Sequence, residues 1–151
     1  MPKQDKNLYP SKEEIINTNP IHTLKDIMLL QAWKVEFYTK RWSQLNNDKK
    51  LLHLYFLTET ITKDIQDVHR VHYKLSNEYA VNLKSRTLYF KKDSPSIIST
   101  LHEIGHLFYG ASELKACVFS YKLFRTVFPN ECKKLTWEGH MLVKKQLSVK
   151  R

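Results

Sequence analysis

Apolar positions divide the chain into stretches of different period. Residues 1–20 are polar, with Pro2, Pro10 and Pro20 as breaks, and read as an extended or partly ordered arm. Thr23 is placed to cap a first helix running to about Leu45, in which Leu24, Ile27, Met28, Ala32, Val35 and Phe37 recur at mostly helical spacing. Asn46, Asn47 and Asp48 read as a turn. The compact apolar run Leu51–Leu57 has the length and aromatic content of a buried strand. From Thr58 to Lys74 a helical spacing through Ile61, Ile65 and Val68 competes with β-branched content.

Two short β-like runs follow, 78–83 and 86–90, joined by Lys84 and Ser85. They form an expected hairpin whose turn lacks glycine. Beyond them Ser94 and Pro95 predict a helix start, and Ile97, Ile98, Leu101, Ile104 and Phe108 supply its apolar face. Gly110 is suited to end that helix in a left-handed turn. Ser112 is suited to cap the next, which runs through Leu114, Phe119, Leu123 and Phe124 and stops before Pro129. The remainder, 133–151, reads as a basic amphipathic helix. The pattern thus predicts an α+β domain over 21–151, with helices packed on a short mixed or antiparallel sheet, preceded by the arm 1–20.

Composition narrows the class. A chain of 151 residues that is 42% hydrophobic and 12% aromatic can bury one core. No apolar stretch follows the first lysines and no run reaches membrane-spanning length, so a cytoplasmic protein is expected, without signal peptide or membrane anchor. The two cysteines, Cys117 and Cys132, have no metal-ligand spacing and are expected as free thiols in a reducing compartment. The net charge of +10 favours acidic partners, nucleic acid included, but no zinc-finger, RNP or P-loop pattern accompanies it.

The chemistry concentrates in one place. His102, Glu103 and His106 form His-Glu-Ile-Gly-His inside the helix that carries the apolar face. Four residues of separation put two imidazoles one turn apart, where both reach a single zinc ion. Glu103 projects beside them, close enough to take a proton from a zinc-bound water without being a ligand. The pattern alone also fits two incidental surface histidines, so context matters. Of three glycines in the chain, Gly105 and Gly110 fall in or just after the motif, and a glycine between the ligands lets a neighbouring backbone approach closely.

A third protein ligand is required, with the fourth position open. Glu113, at the start of the following helix, is the leading candidate. His140, or Glu138 beside it, competes. Tyr109, Tyr121 and His140 are candidates for stabilising the transition state, each with a simple packing role as the alternative. His69 and His72, three apart, have no carboxylate or cysteine partner in pattern and read as solvated. Trp33, Trp42, Tyr55 and Phe56 read as core.

The segments Arg86-Thr-Leu-Tyr-Phe90, Ser94–Gly110 and Ser112–Phe124 together resemble the core of small gluzincin-type zinc metallopeptidases, especially the ImmA/IrrE-like group. That group follows its HExxH helix with a helix of pattern E-x-x-A-x-x-F-A-x-x-L-L. Here the same offsets hold Glu113, Ala116, Phe119, Ser120, Leu123 and Phe124. The chain is also similar to metallopeptidases encoded by bacteriophages. The resemblance covers 85–129. It implies that Glu113 is the third zinc ligand, that the HExxH helix lies behind an edge strand, and that a substrate backbone lies beside Arg86–Phe90. Two features depart from it. Cys117 stands where an Asp or Asn often orients a ligand histidine, and the connection from His106 to Glu113 is shorter than usual. The expected function is zinc-dependent hydrolysis of a peptide bond in a protein or peptide, in a bacterial or phage-infected cytosol. The alternative is a zinc-stabilised binding protein without turnover, with a basic surface suited to nucleic acid.

Overall fold

Ser11 and Thr23 each close a reciprocal capping box, with Glu14 and Asp26 respectively, and each opens a helix: α1 (Lys12–Asn17) and α2 (Leu24–Phe37). The computed structural model describes residues 9–38 and 41–144. A helix thus stands within the stretch expected to be extended or partly ordered, and it is held by Ile15, fully buried against Cys117 and Val118. Thr23 caps α2 as expected, but α2 ends at Phe37, short of Leu45, and a 3-10 turn follows at Trp42–Gln44. Its buried stripe is Leu30 and Trp33, whereas Leu24, Met28 and Val35 face solvent. Trp33 packs against Trp42, and its Nε1–H donates to the His53 carbonyl at 2.8 Å.

The run Leu51–Leu57 is not a strand. It lies inside α3 (Asn47–Ile61), whose N-cap is Asn46, so the expected turn 46–48 is the helix start. Leu54, Leu57, Thr58 and Ile61 are buried at the i, i+3, i+4, i+7 spacing of one helix face. An apolar run of seven residues carries no period of its own, so tertiary packing decided its state. A single helical turn, α4 (Lys63–Gln66), resolves part of the ambiguous stretch, which then becomes strand.

Three strands form a mixed sheet: β1 (His72–Ser76), β2 (Ala80–Asn82) and β3 (Thr87–Lys91). Their order is β1-β3-β2, with β1 parallel and β2 antiparallel to β3. The β2–β3 hairpin matches the sequence reading. Its turn replaces glycine with Asn82, whose Oδ1 accepts the Lys84 and Ser85 amides, and with Arg86 at φ 54°. Arg86–Phe90 was expected beside a substrate; the strand it overlaps, β3, is instead the middle of the sheet, paired on both sides. The free edges are β1 and β2, and β2 is the edge that packs on the next helix.

That helix, α5 (Ile97–Tyr109), begins at Ser96 and not Ser94, because Ser96 Oγ accepts the Ser99 amide and the Tyr79 hydroxyl clamps the Ser96 backbone. Ser94 instead takes a positive φ of 57°. Gly110 ends α5 at φ 82°, and Ser112 caps α6 (Glu113–Val127). After α7 (Pro129–Lys133), the expected basic helix is absent over the described part of 133–151. Leu135–Glu138 (β4) and Met141–Lys144 (β5) form an antiparallel hairpin turned by Gly139 at φ 65°. Alternating burial of Trp137 and Leu142 against α6 outweighs the helical charge pattern; 145–151 lie outside the described residues.

The architecture is α+β: seven helices, a three-stranded mixed sheet and a two-stranded hairpin among the described residues. No described helix is long and apolar enough to cross a membrane. α5 is the centre of the core, buried on nearly all sides by α3, β2 and α6.

α5 and α6 touch backbone to backbone. A Cβ on Gly105 would sit 3.0 Å from Ala116 Cα and 3.2 Å from its carbonyl oxygen. Gly105→Ala gains about 1 kcal/mol of helix propensity, but it forces apart a close-packed interface at a cost of about 1–3 kcal/mol. Urea denaturation should show a net loss of stability, and a more stable variant would contradict this packing.

Candidate metal centre

His102 and His106 point from α5 toward the first residue of α6, Glu113. The carboxylate lies between the two rings, with His102 Nε2 3.1 Å from Oε1 and His106 Nε2 3.0 Å from Oε2. One donor atom from each residue falls within 4.8 Å of the others, and this is a group that could hold a metal ion. The histidine side chains keep only 7% and 6% of their exposure and the Glu113 side chain 23%, so the centre opens to solvent at its carboxylate. The short connection after Gly110 makes this possible, since it turns α6 back along α5 within three residues.

The far nitrogen of each ring is also fixed. His106 Nδ1 is 2.8 Å from the Gly110 carbonyl, which can only accept, so Nδ1 carries the proton. The Cys117 thiol donates to the His140 carbonyl at 3.6 Å, leaving its sulfur to accept from His102 Nδ1 at 3.8 Å. Both Nε2 atoms therefore present lone pairs toward Glu113 once their protons leave. This outer hydrogen bonding is the arrangement that metal-ligating histidines require. Cys117 is thus the partner of the far nitrogen of His102.

In the metal-free protein the three groups are coupled through shared protons. Burial alone would raise the Glu113 pKa, but hydrogen bonds and charge from the two histidines hold it far below the usual carboxylate range. Burial alone would lower that of His106, but Glu113, the Gly110 carbonyl and Glu103 outweigh it and raise it. A metal ion with two imidazoles and one carboxylate fits these donors, replacing the protons that otherwise sit between them.

Glu103, one residue after His102, is buried beside the group and outside it. Its pKa is raised by burial and by Glu113, against the lowering effect of the two histidines. The Tyr79 hydroxyl is near enough to feel the same carboxylate, and it also accepts from Thr100 Oγ1 at 3.2 Å. Tyr79 was not singled out by the sequence, and Cys117 was named only as a departure at a histidine-orienting position; their contacts join positions 15 to 21 residues apart and follow no local spacing.

The remaining candidates fall elsewhere. His140 sits at the β4–β5 turn beside the centre, close enough for Glu113 and His102 to act on its pKa, which burial lowers. It is not a member of the donor group; its ring packs at a tilt against Tyr9, with centroids 4.7 Å apart. Glu138 is exposed. The Tyr109 hydroxyl donates to the Ile21 carbonyl at 3.0 Å, and Tyr121 packs on Trp137. His69 and His72 are exposed, and both cysteines are free thiols, with burial pushing Cys117 up to about 12.

The metal-free protein has a definable pH window. Glu113, with its folded pKa depressed, contributes stability above about pH 4.3 that is lost as pH falls through its folded value. His106, with its folded pKa raised, contributes stability below about pH 6.5 that is lost as pH rises through its folded value. The metal-free melting temperature should thus fall on passing from pH 6 to 8. Stabilisation by added Zn2+ should grow over the same range, reaching about 2.7 kcal/mol at a hundredfold excess over Kd. Calorimetry should give one ion per chain, with affinity abolished by Glu113→Ala and reduced about tenfold by Cys117→Ala. Undiminished binding in Glu113→Ala would contradict the assignment. A scan against protein-family models and searches of curated proteins and of solved structures returned no match to this chain.

Proposed function

We propose that the protein is a zinc metalloendopeptidase, in which His102, His106 and Glu113 hold one zinc ion and Glu103 is the general base. The observation that carries this reading is the place of Glu103. A structural metal site uses its ligands and needs no fourth ionisable group. Here a buried carboxylate stands next to the donor group without joining it, on the rigid helix that presents both histidines.

The division of labour follows from the residues. Bound zinc would polarise a carbonyl oxygen as a Lewis acid and lower the pKa of water toward neutrality. Glu103 takes the proton of the attacking water and hands it to the leaving amine as the C–N bond breaks. Its burial favours the protonated form at the midpoint of that exchange. Cys117 and the Gly110 carbonyl keep the two rings oriented throughout. Water and substrate reach the centre on the side left open at Glu113. The resemblance to gluzincin-type enzymes supports the same assignment of roles, and the substrate class is a protein or peptide.

Glu103→Gln is isosteric and removes the base alone. Purified variant and wild type should carry equal zinc, while cleavage of a pool of unfolded host proteins should fall by about 10²–10⁴-fold in the variant. Equal zinc with no cleavage above background in either protein would turn the assignment toward a zinc-stabilised binding protein.

A further inference from the structure

The free edge of β1 lies across the sheet from β2, the strand that faces α5, and the parallel ladder fixes which of its groups are unpaired. His72 N–H donates to the Arg86 carbonyl and the Ser76 carbonyl accepts from Lys92 N–H, so residues 72, 74 and 76 bond to β3. The amides and carbonyls of Tyr73 and Leu75 therefore point outward, and no other described strand pairs with them.

A groove runs along this edge between β1 and α3, lined mainly by the apolar Leu51, Leu52, Tyr55, Tyr73, Leu75 and Phe90, and Lys74 also borders it. Leu52 and Leu75 are 51% and 58% exposed, an unusual burden of apolar surface beside an open edge. The alternation of the strand puts Tyr73 and Leu75 on the groove side and His72 and Lys74 on the other face, where Lys74 pairs in register with Tyr89 and Lys91 lies two residues on. Asp48 closes the α3 end of the groove.

We propose that β1 is a docking edge for an extended segment of a partner protein in which apolar and acidic residues alternate. An added strand would take the outward amides and carbonyls of Tyr73 and Leu75, set its apolar side chains into the groove and place its acidic ones beside Lys74 and Lys91. The period of 2 and the opposite character of the two faces specify that pattern together. The +10 charge of the chain favours an acidic partner over a second copy, because antiparallel pairing of two β1 edges would bring Lys74 against its own counterpart. This edge is distinct from the metal centre, and the proposal does not depend on catalysis.

The test is selection of random 12-residue peptides displayed on phage against the full-length protein, followed by synthesis of the enriched sequences. Alternating apolar and acidic peptides are expected, with binding lowered at least tenfold by Lys74→Glu and by N-methylation of alternate peptide amides. Hydrogen exchange should show the Tyr73 and Leu75 amides protected by the peptide. N-methylation alters only the probe, so its effect stands whatever Lys74→Glu does to folding. Absence of enrichment, binders without the alternation, binding indifferent to N-methylation, or a dimer in sedimentation that buries this edge would each overturn the proposal.

Discussion

Glu113 between His102 and His106 is the contact on which the rest of the architecture converges. It closes a gap between two helices, and the gap has the right width only because Gly105 carries no side chain at the point where α5 meets Ala116 of α6. Each part constrains the next. Ser112 fixes where α6 begins, so Glu113 stands at its first position, where the helix N-terminus favours a carboxylate. Gly110 ends α5 and offers its carbonyl to His106, so one residue both stops the helix and sets a tautomer.

The surrounding elements hold α5 rather than the site itself. Leu101 and Ile104 are fully buried, and the face carrying His102 and His106 is also enclosed, so α5 is fixed along its length. The Tyr79 hydroxyl fastens its N-terminus by three hydrogen bonds involving Ser96 and Thr100. On the other side of α6, the β4–β5 hairpin supplies the carbonyl that the Cys117 thiol needs, and α1 packs its Ile15 against the same residue. Rigid elements carrying a pre-oriented donor set are what a metal centre requires of a small fold.

The site was legible in the sequence because its information is local. HEIGH places two histidines and a neighbouring carboxylate by helical spacing, and the Ser112 cap sets Glu113, the third member of the donor group, within one connection. The hairpin 78–90 was legible for the same reason. What escaped depends on distant contacts. Leu51–Leu57 reads as a strand from its length and aromatic content, and only the packing of Leu54, Leu57 and Ile61 on α2 and α5 makes it helix. The segment after Lys133 has a helical charge pattern, yet Gly139 and the packing of Trp137 against Tyr121 make it a hairpin. The place of β3 inside the sheet, and the service of Cys117 to His102, are likewise tertiary facts.

X-ray absorption at the zinc edge would decide whether His102, His106 and Glu113 hold the ion, because it counts and identifies the atoms around it. A centre of two histidines and one carboxylate should show one zinc per chain surrounded by nitrogen and oxygen alone at about 2.0–2.2 Å, with the outer-shell scattering of two imidazoles. A sulfur neighbour at about 2.3 Å would make Cys117 a ligand rather than an orienting group and would contradict the two-histidine, one-carboxylate centre.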